Sequence, residues 1–151
     1  MDGAAFNNEL DALLGALRRR NPILDEQQYA VRLAGALAGI ESAAAGTVTQ
    51  LLTGHRLLSQ YRERDALAAF DAASGQLAPL LQRNPDAGDL NELAALIAEG
   101  QTEAHYVLGD YEQAGGLAAQ LWTRRMSTAD LRAKARAATW VGCTQQQTGR
   151  Y

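Results

Sequence analysis

Cysteine occurs once in these 151 residues, at Cys143, which excludes an internal disulfide framework. Lysine is nearly absent too: Lys134 is the only one, and arginine carries the rest of the positive charge. Prolines number three, β-branched residues are few, and few segments alternate with period two, so no strand is expected. No apolar run approaches the ~18 residues that cross a bilayer, and no membrane span is expected. The first residues, MDGAAFNNEL, have no basic segment followed by an apolar one, so a secretory leader is not expected and the default compartment is the cytoplasm. The net charge of −3 is spread over mixed signs, unlike the basic excess of a nucleic-acid binder. There is no phosphate loop, no H-E-x-x-H, no cysteine pair and no G-x-S-x-G. The chain is therefore not expected to be an enzyme or to need a metal or cofactor.

What remains is a helix-forming composition. Alanine, leucine, glutamine, glutamate and arginine dominate, and abundant alanine with so little lysine suggests a GC-rich bacterial genome. The length suits one domain or a short repeat array. Apolar spacing predicts an all-α chain of about seven helices. The first, about 4–20, carries Phe6, Leu10, Leu13, Leu14 and Leu17 on one face and ends at Asn21-Pro22. The second, about 26–45, opens at Asp25 with Gln28 and is closed by Gly46. The third opens at Thr47 and carries Val48, Leu51, Leu52, Leu58 and Tyr61. After the charged break Arg62–Asp65, the fourth shows Leu67, Phe70, Ala73, Leu77 and Leu81 at helical spacing. Asn84-Pro85-Asp86-Ala87-Gly88 is the clearest loop, and Asp89 with Glu92 should cap the fifth helix. Asp110 with Gln113 opens the sixth and Ser127 with Asp130 the seventh, whose buried side should hold Leu131, Ala135, Ala138, Val141 and Gly142. Short connections make neighbouring helices antiparallel hairpins.

The hairpins resemble one another. Gly54, Ala66 twelve residues on, Phe70 four further and Ala73 three further form a small–small–large–small series. Gly109, Tyr111, Ala114, Ala118 and Leu121 form a second set, and Ala138, Val141, Gly142, Gly149 and Tyr151 begin a third. This spacing is similar to that of tetratricopeptide repeats, over residues 47–151. Thr102 stands where glycine is usual, Leu57 and His105 where tyrosine is usual, and the steps of 48 and 40 residues exceed the regular 34. The resemblance implies stacked hairpins in an irregular superhelix. Residues 1–46 are then an N-terminal cap or degenerate repeat, and the last repeat looks incomplete, as in a fragment of a longer protein.

The resemblance also implies a function. It points to a scaffold or regulatory module that binds a protein or peptide, of the kind found in the N-terminal sensory parts of bacterial signalling proteins such as diguanylate cyclases and transcription regulators. Its groove would be lined by His55, Glu99, Glu103, Tyr106, Arg136, Thr139, Cys143 and Gln146. The carboxylate clamp of chaperone-binding members is not matched, because those places hold Leu51, His55, Glu99, Glu103, Thr139 and Cys143. His55, Glu103 and Cys143 fall at equivalent places, but helix axes ~8–10 Å apart are too far for zinc bonds to join all three. Glu99 and Glu103, four apart, share one face. Arg18-Arg19-Arg20 and Arg124-Arg125 are read as helix-end cations that complement the dipole. Two alternatives stand beside peptide binding: a small-molecule or signalling-peptide sensor, and a homodimer formed through the seventh helix by Trp140, Val141 and Tyr151.

Overall fold

A computed structural model describes residues 45–126 and 131–149. Among them are five α-helices and no strand: α1 Ala45–Ser59, α2 Glu63–Arg83, α3 Gly88–Val107, α4 Tyr111–Arg125 and α5 Leu131–Thr148. They correspond to the third to seventh helices expected from the spacing. The first two, with Arg18–Arg20, lie outside the described residues, as do Ser127, Asp130 and Tyr151.

Each helix packs on the next, and α1 also touches α3, as α3 touches α5. The odd helices therefore form one row, with α2 and α4 behind the gaps. This arrangement follows from short turns and from apolar residues spread over two faces of α3, which touches each of the other four described helices.

The first core cluster lies between α1, α2 and α3, with Leu51, Leu52, Leu58, Phe70, Leu77, Leu93, Leu96 and Ile97 at its centre. Phe70 is fully buried, as its spacing from Ala66 and Ala73 predicts. A Cβ added at Gly54 would come within 2.5 Å of its ring, and one added at Gly100 within 2.4 Å. The aromatic ring is thus held between the bare backbones of α1 and α3. Burying it contributes about 1.5–3 kcal/mol, and only glycine on both sides leaves it room. The second cluster, between α3, α4 and α5, is built from small residues: Ala95, Ala98 and Ala137 around Leu121, with Trp122 and Trp140 at its edge.

Several local expectations are corrected. The chain is already helical at Gly46, so that glycine ends no helix, and Thr47 is fully buried inside α1 instead of capping it. Tyr61 does not join the apolar face of α1. It sits in the turn at φ 59° and is 80% exposed. Helix α3 starts at Gly88, which puts Asp89 inside it, and the residue at its N-cap, Ala87, has no side-chain acceptor to offer. Asp110 does cap α4 in position, but it makes no side-chain capping bond; its carboxylate lies 3.3 Å from His105 Nδ1. Pro79 is accommodated within α2.

The face of α5 is also corrected. Ala133, Ala137 and Thr144 are buried, whereas Ala135, Ala138 and Gly142 are exposed and Leu131 is 75% exposed. Alanines at 133, 135, 137 and 138 surround the helix, so apolar spacing alone does not choose between its sides. Trp140 decides it by size: its ring lies edge-on to Tyr106 of α3, with centroids 5.5 Å apart.

Candidate functional site

Row-forming helices α3 and α5 bring together much of the expected groove. Glu99 of α3 and Arg136 of α5 form an ion pair, with Nε donating to Oε1 at 2.7 Å and both side chains 16% exposed. Bidentate, half-buried pairing of this sort orients both side chains, and either one alone would be left with a desolvated charge. About two turns further along α3, Tyr106 packs edge-on to both Trp140 and Tyr111, and Gln147 Nε2 donates to its hydroxyl at 3.3 Å. A polar and aromatic seam thus joins α3 to α5 on one side of the row.

The other groove candidates border this seam. Glu103, four residues after Glu99, is half-buried, as is the free thiol of Cys143. Thr139 is exposed, and its hydroxyl donates to the Ala135 carbonyl at 2.9 Å. Gln146 is exposed on the same helix. His55 is the exception. Only 4% of it is exposed, and its ring stands edge-on to Phe70 at 5.1 Å. It belongs to the core beside the α1–α2 crossing, held against the Phe70 ring, and does not line an open groove. Of the residues expected to self-associate, Trp140 is engaged by Tyr106 of its own chain, Val141 is half-buried, and Tyr151 lies outside the described residues.

Two features were missed. Arg125 is not a solvated helix-end cation; its side chain is 6% exposed and forks onto Glu92 of α3, with Nη2 donating to Oε1 at 3.0 Å. Next to it, Arg124 Nη1 donates to Asn91 Oδ1 at 3.0 Å, while Asn91 Nδ2 donates to the carbonyls of Pro85 and Ala87. These contacts fix the α2–α3 loop to the end of α4. The sequence signal was Asn91-Glu92 standing 33 residues before Arg124-Arg125, on helices expected to be antiparallel neighbours. Gly100 was the second: a glycine in mid-helix costs about 1 kcal/mol relative to alanine, so one that stays in place marks a close approach.

Among the described residues, no three histidine, cysteine, aspartate or glutamate side chains converge as metal ligands would. No helix there is long and apolar enough to cross a membrane. No family model, curated protein or solved structure matches the chain.

Proposed function

We propose that this chain is a tetratricopeptide-like helical-repeat module that works by binding a peptide segment of another protein. The observation that carries the reading is the row of α1, α3 and α5 with α2 and α4 behind it. A row of parallel odd helices presents one continuous face, which suits an extended peptide or a helix laid across it. The crossing of α1 and α2 supports the repeat assignment, since Gly54 faces Phe70 with Ala66 and Ala73 buried beside the ring.

The binding face is the α3–α5 side of that row: Glu99, Glu103 and Tyr106, with Arg136, Thr139, Cys143 and Gln146 opposite. The Glu99–Arg136 and Tyr106–Trp140 contacts hold this side rigid, so a ligand meets a preformed surface. His55 drops out of the set. A role in the sensory half of a bacterial signalling protein accords with such a module and rests on likeness of architecture alone.

Selection from a random peptide library on the immobilised full chain tests the reading. Selected peptides should lose at least tenfold in affinity on Glu103→Lys and keep it on Gln120→Lys, at an exposed position of α4. A library that yields no binder, or binders indifferent to Glu103→Lys, would refute it.

A further inference from the structure

Arginine closes three of the five described helices. Arg56 lies in the last turn of α1, Arg83 in that of α2, and Arg124 with Arg125 in that of α4. Such cations complement the partial negative charge carried by the last carbonyls of a helix. The last turn of α3 has only His105, and that of α5 has no base. These two ends meet, because Gln147 near the end of α5 donates to the hydroxyl of Tyr106 near the end of α3.

Acids and aromatic rings gather at the same place. No lysine or arginine falls between Arg83 and Arg124, nor within α5 after Arg136. Glu92 and Glu99 are met by Arg125 and Arg136. Further along, Glu103 stands one turn before Tyr106 on α3, so the two share a side of the helix. The Asp110 side chain is 54% exposed in the turn, and Glu112 is exposed just after it. Tyr111 and Trp140 meet Tyr106 with ring planes inclined at 64° and 67°. Rings at such angles form a corner and not a closed stack, and all three are half-buried. Aromatic faces attract a cation, and a planar guanidinium can also stack on them.

On the peptide-binding reading, we infer that the corner made by Tyr106, Tyr111 and Trp140 receives an arginine side chain of the bound peptide. The guanidinium lies against the rings, and its charge answers Glu103, Asp110 and Glu112. It also supplies the last-turn arginine that α3 and α5 lack. Lysine serves less well, because its ammonium is a strongly hydrated point charge that does not stack. Arg150, the next base after Arg136 in the sequence, lies outside the described residues, and a variant at that position separates it from the peptide's arginine.

Capped tri-arginine and tri-lysine peptides serve as probes of equal charge. In two-dimensional NMR of the full chain, tri-arginine should bind saturably at millimolar concentration or below. It should shift the Trp140 indole and the amides of Tyr106 and Tyr111. Tri-lysine should bind about threefold more weakly or worse. Tyr111→Leu should weaken tri-arginine by about threefold and leave tri-lysine unchanged. Asp110→Asn, which keeps a capping residue at the start of α4, should weaken both peptides. Equal affinity for the two peptides, or shifts that miss the rings, would overturn the proposal. Binding that appears only in the Arg150→Gln chain would also overturn it, by giving the corner to the chain's own arginine. Library-selected peptides that need Glu103 but lose no affinity when their arginines become glutamine would overturn it and leave peptide binding in place, whereas a library without binders would remove both.

Discussion

Replacing Gly54 by leucine should destabilise the native chain and stabilise the Phe70→Ala variant. The reversal follows from the crossing. At position 54 a Cβ alone would stand 2.5 Å from Cε1, 2.7 Å from Cδ1 and 2.8 Å from Cζ of the Phe70 ring. The ring cannot step aside, because Gly100 closes on its opposite side with a Cβ position 2.4 Å away. Overpacking of this kind costs about 1–3 kcal/mol, and leucine has further carbons to place, so the upper part of that range is expected. The gain in helix propensity over glycine, about 1 kcal/mol, does not offset it. Phe70→Ala by itself should cost about 3–5 kcal/mol through lost burial and the cavity left behind. In that variant the space is empty. Leucine at position 54 then refills part of it and keeps its propensity gain, so the double variant should be more stable than Phe70→Ala by about 1–2 kcal/mol. Urea unfolding of the four proteins, followed by far-ultraviolet circular dichroism, reads all the terms. For a chain of this size each 1 kcal/mol should also move the melting temperature by about 2–4 °C. A Gly54→Leu change with the same sign in both backgrounds would show that the glycine is not making room for the ring.

Tyr61→Gly should raise stability by about 1 kcal/mol or more, because tyrosine is held at φ 59° with its side chain in solvent; a lower melting temperature would show that the ring has a packing role. Glu92→Ala should cost about 3 kcal/mol or more by leaving Arg125 buried without its carboxylate, and Glu92→Leu with Arg125→Leu should recover much of it in thermal melts. Glu99→Ala should destabilise through the same logic at Arg136, and exchanging the two residues should restore part of the loss; no recovery in the exchanged protein would mean that the pair is not coupled.

Helix positions were largely legible in the sequence, because large apolar residues at three- and four-residue spacing fix which side is buried. Phe70, Leu77, Leu93 and Leu121 fell where they were expected. Legibility failed where size gave no contrast. In α5 every face carries alanine, and the helix was turned to the wrong side until Trp140 met Tyr106. It failed again for polar residues that a partner draws inward. Nothing local distinguishes Arg125 from Arg124, yet only the former reaches Glu92 and is buried. His55 was placed in the groove by its register in the repeat, and the ring of Phe70 holds it in the core instead. Of the candidate site, the Glu99–Arg136 and Tyr106–Trp140 contacts depend on how closely α3 and α5 approach, a distance set by alanines on both helices and by no motif.

Hydrogen exchange on the full chain, with and without a peptide selected on it, tests the binding face most directly. If the row of odd helices is the binding face, protection should rise in α3 and α5, around Glu99–Tyr106 and Arg136–Gln146, and stay unchanged in α2. Protection confined to the exposed sides of α2 and α4, with α3 and α5 unaffected, would contradict it.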